Sequence, residues 1–573
     1  GRAPFNPDAL QQRYLLDPDA AAPVPGEVLA GTRGEPAAWA PVAADEQGRV
    51  GGDIALAYRA VESDGERVVL ADLERGATLH VNGTPYVGDV YGGGFGPTPV
   101  ALRKGVNHVY VRGVRGAFRL SLTRPDGPVV VTGRDVTAPD LVSGAPSPGG
   151  RAAVVVANCT ERWLEIVRVE CGAAADEVRI PLAPLALLKL PVPLAPSPED
   201  PAASAEDGHV TWSVGVHVTS GLRDEIPFVA TSPLRVPVRA PDAVRVLTFT
   251  SGIDGSVQEY AVQPPLDARA PRLVLSAHGA GVGARGQAAA YSRKPETWIV
   301  AATNRRPFGF DWQDWGRTDA YEVLDHALSW TGAERRTVCL TGHSMGGHGT
   351  WHLAANDPDG FAAIAPSAGW SQFDHYGGRP DQARRQPWYG ADAASDTLSL
   401  VANLVQVPAY VLHGTADDNV PPSEAERMLA ALRGAGAAPE AHFQEGAGHW
   451  WDGDVAEGAD CVDWPPIFEL FRRSRIPAAP RRIHLTTVDP GVDAVHHWLR
   501  VEQPLEYGRR VRVDGAWSPA EGLVELATEN AALLHVTWPG EGGLRRVVVD
   551  GRELTLDAPR DALWLRRGGD AWW

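Results

Sequence analysis

Three residues able to do acyl-transfer chemistry occur in a usable order. Ser344 stands in "TGHSMGGHGTW", residues 341–351, two positions from Gly342 on one side and Gly346 on the other. Asp417 and Asp418 lie in "VLHGTADDNVPP", and His449 lies in "QEGAGHWWDG". A serine hydroxyl is a poor nucleophile at neutral pH. It needs a neighbouring base, which in turn needs an acid to orient it. The apolar run "TVCL" before the serine and the helix-compatible "GHGTWHLAAN" after it predict a strand, a tight turn and a helix, with Ser344 strained and exposed at the turn. Either aspartate could serve as the acid, and His449 is the base. Cys339 sits inside the expected strand and cannot replace the serine.

Attack by Ser344 would generate a tetrahedral oxyanion, which calls for two N–H donors. Met345, the residue after the nucleophile, would supply one; the loop "LSAHGAG", through Gly279 or Ala280, would supply the other. Losing one such donor typically costs about 10²–10³ in rate. His343 and His348 flank the turn too closely to reach the hydroxyl well and read as packing or pocket walls. Trp312, Trp315, Trp370, Trp388, Tyr389, Trp450 and Trp451 cluster around these motifs and suit a pocket for acyl or sugar rings. Arg305, Arg306 and Arg317 could hold a substrate carboxylate or pair with Asp311 and Asp314, and the pairing is the expectation.

Metal readings are weak. "DWQDWGRTD" and "DGDVAEGAD" lack calcium-loop spacing. His496 and His497, adjacent on an apparent strand, should point to opposite faces. Serine-based acyl transfer needs no metal or cofactor, and none is expected.

The elements that must position these residues follow from apolar patterning. Beyond about residue 245, "PRLVLSAHGAG", "TWIVAATN", "RRTVCLTGHS", "FAAIAPSAG", "VPAYVLHG" and "PEAHFQEG" are short apolar runs of the kind buried on both faces. Helical stretches separate several of them, including "GRTDAYEVLDHALSWTG" and "SEAERMLAALRGAG". In the latter, Ser423 and Glu426 have capping-box spacing and Gly434 is the expected stop. This alternation predicts a mostly parallel sheet covered by helices, residues 244–477. The first ~240 residues instead carry alternating strands and turns, with a hairpin expected at Asn82-Gly83 and a turn at Lys104-Gly105. Residues 1–135 resemble the jelly-roll, galactose-binding-like β-sandwich modules, and 136–243 are expected to form an immunoglobulin-like sandwich. Within the second, "PVPLAPSPEDPAASAED", 191–207, reads as an exposed loop. Residues 478–573 return to β alternation as a small C-terminal domain.

The 573 residues carry a net charge of −18 with only three lysines, Lys104, Lys189 and Lys294. That balance argues against a nucleic-acid surface, and the arginine bias points to a GC-rich bacterial source. No apolar run approaches the roughly 18 residues of a membrane-spanning helix. Cys159 and Cys171 could pair across two strands or remain reduced thiols; Cys339 is expected in the core. The opening "GRAPFNPDAL" shows neither initiator methionine nor signal sequence, as in a mature or trimmed form, and a secreted or periplasmic home is expected.

Residues 245–475 resemble the α/β-hydrolase superfamily, specifically the catalytic domain of the prolyl oligopeptidase family and its esterase relatives. "HGTADDNV" is similar to the acid loop of dipeptidyl peptidases, and that resemblance selects Asp417 over Asp418. It also implies a substrate-binding role for Asn419. "GHSMGGHG" is similar to the corresponding turn of formylglutathione hydrolases, and "TNRRPFGFDWQDWGRTDAYEVL" resembles large bacterial proteins of prolyl-oligopeptidase-like type. The family's propeller is absent from the pattern, and no glutamate pair for gripping a free amino terminus is found. Sandwich modules beside such a domain are commoner in secreted polysaccharide- or polyester-directed esterases. The resemblance therefore implies a serine esterase acting on a small or polymeric ester, with polysaccharide contact through the β modules. A prolyl-oligopeptidase-type peptidase and a carbohydrate-binding protein with a degenerate hydrolase domain are the alternatives.

Overall fold

The computed structural model describes residues 11–15, 22–30, 36–52, 54–89, 92–220, 228–267, 269, 271–306, 309–377, 393–453, 456–569 and 571–573. The chain forms two compact units, residues 1–239 with 255–257, and residues 240–254 with 258–573.

In the first unit, Leu56–Ser63, Gly105–Thr123, Arg67–Val81 and Thr84–Val87 lie side by side in one sheet, with Thr98–Leu102 also paired to Arg67–Val81. The Asn82-Gly83 hairpin forms as expected. Val81 pairs with Thr84, and both turn residues take positive φ, 48° and 83°, the twist-matched two-residue turn. Two further sheets, Leu187–Leu194 / Gly150–Asn158 / Val129–Val131 and a five-stranded one centred on His209–Thr219, share one core through Val154, Leu190, Ile166, Val214 and Leu234.

The expected exposed loop at 191–207 is corrected in part. Residues up to Leu194 continue a strand, with Val192 and Leu194 buried. Pro191 and Pro193 are tolerated because this strand is at the edge of its sheet, where a missing N–H need not break a second ladder. Cys159, Cys171, Cys339 and Cys461 are all free and buried, so the Cys159–Cys171 pairing is not formed.

The second unit is built on an eight-stranded sheet: β1 (Arg245–Thr250), β2 (Val257–Gln263), β3 (Arg272–Ala277), β4 (Thr297–Ala302), β5 (Cys339–His343), β6 (Ile364–Ser367), β7 (Tyr410–Gly414) and β8 (Glu440–Gln444). Its order is β1-β2-β4-β3-β5-β6-β7-β8. β2 runs antiparallel to β4, and the pairs from β4 through β8 are parallel. Strands β3, β5 and β6 are buried at every position, which explains why they read as continuous apolar runs. Helices α1 (Ala284–Ala289), α2 (Asp314–Thr331), α3 (Met345–Asn356), α4 (Ser423–Gly434) and α5 (Pro465–Arg473) accompany it. Val323, Leu324 and Ala327 of α2 and Leu353 of α3 enter the main core, each large side chain contributing about 1.5–3 kcal/mol of burial.

α4 ends at Gly434 as expected, but its start differs. Pro422 is the N-cap and Ser423 already helical, so the capping box does not form; beyond the helix Gly436 takes the left-handed conformation, φ 98°. Ten strands from Arg482 onward form two five-stranded sheets around Trp498, Trp538 and Trp572. Asn403 ties this part to the larger sheet domain, donating to the Ala355 and Thr486 carbonyls and accepting from the Thr486 N–H.

Candidate active site

β5 ends at His343 and α3 begins at Met345, leaving Ser344 alone to reverse the chain at φ 60°, ψ −119°. A non-glycine residue in that conformation is strained and persists only where its surroundings over-determine it. They do so here by close backbone packing. A Cβ on Gly346 would lie 1.9 Å from the Ala277 carbonyl oxygen, and one on Gly342 would lie 2.4 Å from that of Gly346. The Ser344 N–H donates to the Ser367 carbonyl at 2.9 Å, locking the turn to β6.

The three candidate residues meet. The Ser344 hydroxyl donates to His449 Nε2 at 2.9 Å, and His449 Nδ1–H donates to Asp417 Oδ2 at 2.8 Å. Asp417 follows β7 and His449 follows β8, so two adjacent strand ends carry these side chains to the turn after β5. Asp417 Oδ1 accepts from the N–H groups of Asn419 and Val420 at 3.0 and 2.9 Å. His413 Nε2, which also faces the Val420 carbonyl at 2.8 Å, lies 3.3 Å from Oδ2. Burial works to raise the Asp417 carboxyl, but the hydrogen bonds from His413, His449 and Val420 outweigh it and hold it far below the usual carboxylate range. Asp418 is exposed and stands aside. His413 was missed by the sequence reading; its signal was a histidine at the end of the strand feeding the acid loop.

The loop after β3 lies against the turn, with the Gly279 Cβ position 3.4 Å from Ser344 Cβ. Met345 is the first residue of α3, where the helix offers its N–H no acceptor. Ala280 is exposed beside the buried Gly279. His278 holds this loop: its Nδ1 and Nε2 lie 2.9 Å from the Gly279 and Thr303 carbonyls.

His343 and His348 pack, as expected. His343 Nδ1 is 3.1 Å from Ser367 Oγ, its ring is 4.9 Å from that of His449, and burial pushes it down to about 3. His348 stacks on Trp370 at 5.2 Å and 10°, and burial pushes it down to about 4.

The tryptophans divide. Trp315 and Trp450 are 51% and 53% exposed, and Trp450 packs edge-on against His343. Trp312 is corrected from pocket wall to support: it is 1% exposed, its N–H donates to the His278 carbonyl, and Gly349 leaves room for its ring. Trp370 is also buried, sandwiched between His348 and Tyr376. Tyr376 in turn donates to Asn419 Oδ1 at 3.3 Å, placing Asn419 beside the acid loop. Trp388 and Tyr389 lie outside the described residues.

Two of the three arginines have partners other than Asp311 and Asp314. Arg305 pairs with Asp254 at 3.3 Å, and Arg317 donates to the Val492 carbonyl. Asp311 instead lies 3.5 Å from His348, and burial pushes its carboxyl up to about 8. His496 and His497 do not point apart. They occupy a tight hairpin in which His497 takes φ 53°, and their rings stack 5.1 Å apart. The alternation rule assumed extended backbone at both positions.

Residues 304–461 match the model of the prolyl oligopeptidase family. An "Uncharacterized secreted protein" of Arthroderma benhamiae is 28% identical over 408 residues, covering 64% of this chain and 43% of its own. A "Putative carboxymethylenebutenolidase" of Salmonella typhimurium is 32% identical over 156 residues, covering 26% of this chain and 52% of its own. The chain thus spans about half the length of the curated relatives it matches. Among solved structures, an S-formylglutathione hydrolase from Agrobacterium tumefaciens is 17% identical, covers 36% of this chain and 88% of its own, and has a TM-score of 0.31. The parallel sheet and the turn at Ser344 give this part of the chain an α/β-hydrolase fold, within which residues 304–461 are similar to the prolyl oligopeptidase family model.

Proposed function

We propose that this chain is a serine hydrolase that cleaves carboxylic esters through an acyl-enzyme. The observation that carries the reading is the continuous relay from Asp417 through His449 to Ser344, with both links at 2.8–2.9 Å. Asp417 fixes the imidazole with its proton on Nδ1, leaving the Nε2 lone pair for the serine proton. As Ser344 Oγ attacks the ester carbon, His449 takes that proton and the carbonyl oxygen becomes an oxyanion. The N–H groups of Met345 and Ala280, with Gly279 holding the loop close, stabilise that charge. The imidazolium then protonates the leaving alkoxide. Water, deprotonated by the same histidine, releases the acid and restores Ser344.

Trp450, exposed beside His449, Trp315, exposed in the first turn of α2, and Asn419 in the loop after β7 are the proposed substrate contacts. The strand-rich segments before residue 244 are proposed as accessory β-sandwich modules that touch a polymeric substrate, and the chain as a secreted protein. The name of its Arthroderma benhamiae relative supports export. A second reading, a serine peptidase, is favoured by the family model that matches residues 304–461.

The deciding experiment sets wild type beside Ser344→Ala on p-nitrophenyl esters of short, long and aromatic acids and on Gly-Pro and Ala-Pro p-nitroanilides. Ester turnover abolished by the substitution, with the amides untouched, is expected. Amide turnover at comparable rates would favour the peptidase, and failure of a fluorophosphonate to label Ser344 would refute both readings.

A further inference from the structure

Asp359, His496 and His497 stand outside the Ser344 site and have no part in the chemistry assigned to it. Each offers a ligand-capable atom, and these atoms all lie within 4.8 Å of one another. Asp359 sits in the turn that closes α3, where the Gly360 N–H donates to the Asp357 carbonyl. The two histidines form the hairpin between Val495–His496 and Leu499–Pro504 of the C-terminal β domain. The His497 N–H donates to Asp359 Oδ2 at 2.6 Å, fixing the carboxylate against the hairpin.

What remains is a mismatch of donors. His496 is 2% exposed and its Nδ1–H donates to the His484 carbonyl at 2.8 Å. That bond leaves Nε2 as a bare lone pair, the arrangement by which metal-binding imidazoles are commonly oriented. Nε2 faces Asp359 Oδ1 at 3.9 Å, and Oδ1 is buried with no hydrogen-bond partner. Two lone-pair bearers at that separation cannot bond each other, whereas ligands about 2.0–2.1 Å from a shared ion sit roughly 3–4 Å apart. Asp357 and Asp493 lie close to this point, where burial pushes both carboxyls up and so favours their neutral form; Arg317 and Arg335 are the nearby cations.

We propose that Asp359, His496 and His497 bind a divalent transition-metal ion of the zinc class. Two imidazoles and one carboxylate suit zinc, whereas calcium requires six or more oxygens. The ion is structural. Ser344 caps the start of α3 and Asp359 follows its end, so the twelve residues of the helix put about 18 Å between nucleophile and ion. It pins the far end of the nucleophile's helix to the C-terminal domain.

The test uses the full chain, stripped with EDTA and desalted, titrated with ZnCl2 by calorimetry and with CoCl2 by visible absorption. Asp359→Asn, which keeps an acceptor for the His497 N–H, and His497→Ala are the comparison variants. Wild type is expected to bind one zinc saturably and gain roughly 5 °C in Tm at a hundredfold excess over Kd. It should also show cobalt d–d bands, and calcium should do nothing. Both variants should lose at least tenfold in affinity, along with the bands and the Tm gain, while fluorophosphonate labelling of Ser344 proceeds at the wild-type rate. No saturable zinc binding by wild type, or equal binding by both variants, overturns the proposal. So does zinc that blocks Ser344 labelling, because the ion would then be on His449.

Discussion

Gly346→Ala tests whether the turn at Ser344, the proposed nucleophile, works by close backbone approach. The added methyl carbon would stand 1.9 Å from the Ala277 carbonyl oxygen, 2.5 Å from its carbon and 3.0 Å from the His278 oxygen. Real Cβ atoms essentially never come within 3.0 Å, and all three neighbours are backbone, so the turn and the end of β3 must part by about 1 Å. Two costs follow. Overpacking a site that cannot yield removes about 3 kcal/mol of stability. In addition, Ser344 moves relative to the Gly279–Ala280 loop, and a 1 Å misplacement of reacting groups costs about 10²-fold. The assay is kcat on a p-nitrophenyl ester, normalised to active sites by fluorophosphonate stoichiometry, with a urea melt alongside. Normalisation removes any unfolded fraction, so the ~10²-fold loss must appear in the folded enzyme. A variant with wild-type midpoint and wild-type kcat per site would refute the packing argument.

Other outcomes follow from the same geometry. Asp417→Asn should leave the fold intact yet cut kcat by about 10³–10⁴, since an amide N–H facing His449 Nδ1 favours the wrong tautomer; pre-steady-state ester kinetics check it. Because the folded Asp417 carboxyl is held below its ordinary 3.8, the stability it contributes is present above that pH and lost as pH falls through the folded value. Acid-limb melts of wild type should therefore be steeper than those of Asp417→Asn below about pH 4. Trp312→Ala should destabilise by about 3–5 kcal/mol in a urea melt, whereas Trp450→Ala, exposed, should shift acyl preference in KM with the midpoint unchanged. Glu424→Ala strands the buried Ser371 N–H and hydroxyl that now donate to it, costing about 2–3 kcal/mol by the same melt.

What the sequence disclosed was whatever lives in local pattern. The buried strands announced themselves as apolar runs, the Asn82-Gly83 turn by residues that tolerate positive φ, and the relay by three motifs at strand ends. What it hid depends on partners distant in sequence. Trp312 looked like a pocket wall because its companions, Gly349 and the His278 carbonyl, are 37 and 34 residues away by numbering. Arg305 was given to the nearest aspartates, yet its partner, Asp254, comes from the segment after β1. His496 and His497 were separated by a rule for extended strands that a single left-handed residue suspends.

The four thiols have a practical consequence. Burial pushes Cys159 and Cys171 up to about 11, and Cys339 and Cys461 up to about 12. At neutral pH only about one in 10⁴ or fewer of them is thiolate, the form that oxidises, exchanges or alkylates. Once folded, the core holds no disulfide for a reductant to break and offers an oxidant no accessible thiolate. Maleimides and iodoacetamide should pass the native chain by and react only once it opens, which turns cysteine alkylation into a built-in clock for global unfolding.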